Sequence, residues 1–304
     1  MQLLSNIFKK SKFFSLSVGG TFIFIIFLLY HNTLEELLKN SIQVLANSGI
    51  KTIIILIGLF SLFLIDDIHK HLKIYPIHVL SIAMALFYLP SGSLCMTGLI
   101  IQLCLGIVLY NTTMIYNSKT GHKYLFNIGF IITGLAIFDF IFLPFFLTPI
   151  SIFFDKKNRK SNYFISFLLA ILSCLFITFT IYHFFEREFL IESTYNFSFR
   201  DYNGIALEEI LLIAFILFSL SVSVKIFNKK RIMSSSEGYL FILLWFFIGF
   251  FISFLEGMER LNPWELTLFP LAYLFGSFLN FSSIKTLNIL VLIPVLIKTG
   301  SLFF

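Results

Sequence analysis

Charge is what this sequence has least of: 12% of its 304 residues are Asp, Glu, Lys or Arg, against roughly 25% in soluble globular domains. A chain so poor in charge, and 58% hydrophobic, has too little polar surface to face water on all sides, which excludes an ordinary soluble domain. Cysteine is scarce too. Cys95, Cys104 and Cys174 all fall inside apolar runs, so neither a disulfide framework nor a zinc ribbon can be drawn from them, and they read as small packing residues. No repeat at a fixed period and no inverted half-repeat is found, so the usual signatures of solenoids and of many transporters are missing. A nucleotide loop, nucleophile elbow, zinc motif and haem signature are absent as well, and neither a cofactor nor a divalent metal is indicated.

What the chain does have is long apolar runs, rich in 42 phenylalanines, which insert into lipid about as readily as leucine. The expected fold is all-α: a polytopic transmembrane helical bundle forming a single integral membrane domain, 1–304, with no separate soluble domain. Apolar runs between charged or turn-rich breaks give about eleven spans: 13–30, 51–65, 74–89, 94–112, 124–138, 140–154, 163–184, 207–224, 238–255, 264–281 and 287–304. The first follows Lys9, Lys10 and Lys12 as a signal peptide would, yet FLLYHNTLEE lacks a small-residue cleavage site and reads as a retained anchor.

Topology follows from counting. With the N-terminus in the cytoplasm, sixteen of the 22 basic residues fall on the inner side, as the positive-inside tendency requires, and the C-terminus lies outside. The formal charge of +6 then belongs to short cytoplasmic loops that orient helices or touch anionic lipid. The expected partner is the lipid bilayer; nucleic acid is not.

One stretch resists simple division. From Tyr124 to Phe154 the chain is apolar except for Asp139, too long for one span of about 20 residues and short for two. Both flanks are basic, so both ends belong on the same side and the stretch is a helical hairpin, 124–154, with Asp139, Pro144 and Pro149 near its apex. A carboxylate in such a place costs several kcal/mol unless it is solvated, paired or protonated. Asp139 is therefore a candidate functional residue; a solvated position at the outer interface is the rival reading.

Outside the membrane, HNTLEELLKNSIQVLANSGIK carries apolar residues at helical spacing. Thr33 suits an N-cap, Glu35 and Glu36 the first turn, and Gly49 a stop, which predicts an outer interfacial amphipathic helix over 31–50. A second outer loop, EREFLIESTYNFSFRDYNGIALEE, offers Arg187 and Arg200 for phosphate, although both can pair with acids beside them. On the inner side DDIHKHLK reads as a solvated loop, because His69 and His71 do not face one another on a helix. His78, Gln102, His183 and Lys298 are isolated polar residues within or at the ends of spans, explained by helix-to-helix hydrogen bonds or by snorkelling without catalysis.

Two resemblances suggest what these residues do. LEELLKNSIQVLANSG and HKYLFNIGFIITGLAIFDFIFLP look like elements of the GT-C superfamily of membrane glycosyltransferases, which use polyprenyl-phosphate-linked sugars. That resemblance implies Glu35 or Glu36 as the base on an acceptor hydroxyl, with an arginine stabilising the departing lipid phosphate. Glu–Glu stands where an Asp-containing pair is usual in that superfamily, and its large outer domain is missing. The KKSK start, the Lys/His-rich turn before the hairpin, YNFSFRDYNG and NPWELTLFPLAYLFGSFLN together resemble an uncharacterised family of polytopic inner-membrane proteins from Bacteroidota. The expectation is a multi-pass protein of the bacterial inner (cytoplasmic) membrane in cell-envelope biogenesis, acting as a GT-C-like transferase. The alternatives are a non-catalytic membrane subunit of an envelope complex and a transporter.

Overall fold

The computed structural model describes residues 17, 19–21, 23–26, 41–69, 96–117, 120–154, 161–184, 213, 217, 236–252 and 266–281. Among these no strand occurs. The helices are α1 (Ser41–His69), α2 (Met96–Asn117), α3 (Gly121–Phe138), α4 (Leu147–Phe154), α5 (Ser161–Phe184), α6 (Ser236–Ile252) and α7 (Leu268–Phe281), with a 3-10 segment over Phe140–Phe146. Three stretches are long and apolar enough to cross a membrane: Met96–Ile115, Gly121–Phe138 and Ser161–Phe184. Apolar composition with every backbone bond closed inside the helix is the combination that lipid demands. The expected spans 74–89 and 287–304 lie outside the described residues.

The bundle is built around α3. A three-residue connection turns α2 back along α3, and the pair is tied by Asn127 Nδ2 donating to Asn111 Oδ1 at 3.2 Å. On its other side α3 packs against α5, and the contacts run in one direction along both helices. Gly121 lies at Tyr163, Gly129 at Phe167 and Ala170, and Gly134 at Cys174. Helices α3 and α5 are therefore parallel, and the chain must travel back the full length of α3 between them.

The return is made by the 3-10 segment and α4. Eighteen residues of α3 span roughly 27 Å, and seven 3-10 residues plus eight α-helical ones return roughly 26 Å. The hairpin expected over 124–154 is thus present, with its break at Asp139. Pro144 and Pro149 lie on the return limb, where each removes a backbone donor. That loss explains why an α-helical ladder does not run unbroken through 140–154. Phe146 meets Phe167 edge-on at 6.1 Å, and Phe153 meets Phe164 and Phe167 at 5.9 and 5.8 Å, which locks the limb against the start of α5.

Helix α5 is buried only along Tyr163, Phe167, Ala170 and Cys174, a stripe of one face, while Phe176 and Phe179 are 70% and 68% exposed. The outward side of α5 is apolar throughout its middle, as a lipid-facing surface must be. Beside α2, helices α6 and α7 run antiparallel: Trp245 stacks on Phe269 at 6.4 Å, and a Cβ on Gly249 would meet Leu266 at 3.2 Å.

One expected boundary moves. Gly49 does not stop a helix: α1 continues from Ser41 through Gly49 to His69. Thr52 Oγ1 donates to the Ser48 carbonyl at 2.8 Å across that position. A glycine inside a helix costs about 1 kcal/mol, too little by itself to end a helix of this length. Residues 41–50, the second half of the expected interfacial helix 31–50, are therefore the first turns of a helix that runs on through the expected span 51–65. Asp66, Asp67 and His69 end that helix rather than standing in a loop.

Candidate functional site

Asp139 is the one sequence-predicted site residue among the described residues; Glu35, Glu36, Arg187 and Arg200 lie outside them. Its backbone is extended (φ −156°, ψ 124°) between two helical segments. The Asp139 N–H donates to the Leu135 carbonyl at 2.9 Å and closes α3, and its own carbonyl accepts from Phe142 N–H at 3.1 Å. The carboxylate accepts from Ile141 N–H at 3.0 Å, the bond of an N-cap. The residue is half-buried. A carboxylate in an apolar hairpin is thereby put to use at the one point where two helix ends expose unpaired backbone groups.

This arrangement predicts a specific mutational pattern. Asp139→Ala removes the acceptor and is expected to cost about 0.5–2 kcal/mol, whereas Asp139→Asn keeps a side-chain oxygen and stays near wild type. Unfolding in mixed micelles separates the two; equal losses would mean that charge, not capping, holds the turn.

Several buried polar groups also serve the architecture. Gln102, 1% exposed, accepts through Oε1 from Phe269 N–H at 3.2 Å and so reaches from α2 to the first turn of α7. This is the helix-to-helix role expected of it. Thr112 and Thr133 donate to the carbonyls of Val108 and Gly129, four residues earlier, at 2.8 and 2.7 Å. His183, exposed at the end of α5, stacks parallel on Phe179 at 6.4 Å. The Asn111–Asn127 tie was not singled out from the sequence, although the two lie almost symmetrically about the turn that joins α2 to α3.

Among the described residues, two buried donors have no hydrogen-bond partner: Thr148 Oγ1 and Trp245 Nε1. For Thr148 the cause is local. The residue four positions earlier is Pro144, inside the 3-10 segment, whose tighter winding takes that carbonyl out of the position it has in an α-helix. Trp245 packs against Phe241 and Phe269, at 6.2 and 6.4 Å.

Among the described residues no group of three His, Cys, Asp or Glu side chains converges as metal ligands would. A shallow, open groove lined by Leu172, Ser173, Leu175, Phe176 and Phe179 lies along α5; it holds no charged group and belongs to the outward apolar face. The class defined by these features is a protein whose described residues are helical, with candidate membrane-crossing helices, in which Gln102 and Asn127 connect helices and Asp139 closes a helix end. Comparison with known proteins adds no name to that class: no protein-family model, curated protein or solved structure matches the chain.

Proposed function

We propose that this is a multi-pass protein of the bacterial inner membrane, acting in cell-envelope biogenesis as a non-catalytic membrane subunit. The observation that carries this reading is the capping role of Asp139. The sharpest intramembrane charge in the chain accepts a backbone hydrogen bond at a helix break, a structural use that needs neither proton coupling nor a substrate. The inter-helix hydrogen bonds of Gln102 and Asn127 support the same reading, because they spend polar side chains on packing.

A second reading rests on the Glu35–Glu36 pair and the arginines of the 185–206 loop. In it the protein is a GT-C-like transferase that takes a polyprenyl-phosphate-linked sugar, with Glu35 or Glu36 as base and Arg187 or Arg200 holding phosphate. One experiment separates the two. The Glu35→Gln/Glu36→Gln double variant is expressed in place of the wild type, glycan transfer is assayed in membranes, and partners are captured from mild detergent. Unchanged transfer with a stoichiometric membrane partner supports the subunit. Loss of transfer by 100-fold or more, on the order expected for a lost general base, with the protein still folded, overturns it.

A further inference from the structure

The return limb of the hairpin is wound in two ways. Phe140–Phe146 form a 3-10 helix of seven residues, and Leu147–Phe154 continue it as an α-helix. Runs of 3-10 winding longer than about three or four residues are uncommon, because their hydrogen bonds are poorly aligned and side chains three apart eclipse one another. Phe142 and Phe145 are spaced in this way, with ring centroids 6.3 Å apart. The sequence of the limb is nonetheless patterned for the other winding. Ile141, Phe145, Thr148 and Ile152 are all buried, and they fall at i, i+4, i+7 and i+11, the spacing of one α-helical face.

The two ends of the segment differ in what they favour. At the apex Asp139 accepts from Ile141 N–H, a capping bond that an α-helix starting at Phe140 would also use. In the middle Pro144 favours the tighter form, since in an α-helix it has no N–H for the Phe140 carbonyl and its ring would crowd that carbonyl. At the far end the tighter form leaves something unmade. The Thr148 hydroxyl is buried, with the residue 1% exposed, and has no hydrogen-bond partner. Threonine in an α-helix donates readily to the carbonyl four residues earlier, which here is that of Pro144. Thr133 does so to Gly129 within α3.

We propose that the return limb is a two-state element: 3-10 over 140–146 in this structure, and α-helical throughout in a second state, in which Thr148 Oγ1 donates to the Pro144 carbonyl. Rewinding seven residues from about 2.0 to about 1.5 Å of rise each shortens the limb by about 3.5 Å. Asp139 stays tied to the end of α3 through its N–H bond to Leu135, so α4 is drawn toward the apex. Phe153, which now meets both Phe164 and Phe167, then leaves Phe164 and slides along α5. The limb can in this way change its grip on α5 without parting α3 from α5. Subunit and transferase alike can use such a movement.

The test uses the full-length protein in phosphatidylethanolamine and phosphatidylglycerol vesicles, with its native cysteines replaced by Ala. Nitroxide labels are attached at Phe140→Cys and Ile150→Cys, sites 43% and 41% exposed, and their separation is read from dipolar broadening. Pro144→Ala is expected to shorten that separation by about 3 Å. Adding Thr148→Val, which puts a methyl in place of the hydroxyl, should shift the population back toward the longer distance by about tenfold or more, because the α form loses a bond and the 3-10 form loses an unmet donor. An unchanged distance in Pro144→Ala overturns the proposal, and so does a shortening that Thr148→Val leaves in place. If Pro144→Ala does not fold, Thr148→Val alone decides. In the 3-10 form it removes an unmet donor and should raise the unfolding temperature in mixed micelles; an equal or lower temperature overturns the proposal.

Discussion

Phe167→Ala is expected to be among the most damaging single substitutions in the hairpin bundle, lowering stability by at least about 2 kcal/mol. Phe167 is 8% exposed and meets three elements at once: Phe146 in the 3-10 segment, Phe153 in α4, and Gly129 in α3. In a soluble core, removal of such a ring costs about 3–5 kcal/mol. Lipid tails are as apolar as the ring, so the transfer part of that cost falls away in a bilayer and the lost packing remains. The measurement is unfolding in mixed micelles. Phe176→Ala, at a site that is 70% exposed on the same helix, is the control and should be close to neutral. If both lose the same stability, the packing account of Phe167 is wrong.

Gly129→Leu attacks the same contact from the other helix. Even a Cβ at 129 would lie 2.8 Å from Phe167 Cδ2 and 3.0 Å from the Ala170 Cβ, closer than carbon atoms tolerate. Leucine must push α5 away from α3, at an expected cost of about 1–3 kcal/mol or more. Gly134→Ala, whose Cβ would lie 3.8 Å from Cys174 Sγ, is ordinary contact and should be tolerated. The two large effects are coupled. In the Phe167→Ala background the added side chain enters the vacated space, so the double variant should lose less than the sum of the singles, by about 0.5–3 kcal/mol. Additive losses would mean that the two residues do not share one contact.

These predictions depend on a geometry that the sequence announces only in part. The length of the 124–154 run and its basic flanks are enough to require a bend, because a single span cannot absorb so many apolar residues and both flanks favour one side. The break at Asp139 was legible for the same reason, since a lone carboxylate is costly anywhere along such a run except at its turn. The role of that carboxylate was not legible. Whether Asp139 is solvated, paired with a cation or bonded to a backbone N–H depends on where Ile141 N–H points, and a hydrophobicity pattern carries no information on that. Gly49 misled as well. Glycine in the middle of a helix costs only about 1 kcal/mol, and here the ladder runs through it from Ser41 to His69.

Composition by itself determined the helical class of the described residues, the positions of their apolar helices and the location of the hairpin, because insertion into lipid depends on summed hydrophobicity and on flanking charge, and both are properties of the chain read in order. Only the tertiary structure decided that α3 and α5 run parallel and that Gly129 packs directly against Phe167 and Ala170. Between helices that are apolar on every face, the choice of partner and direction is made by close contacts of small and large side chains, and these exist only once the helices have met.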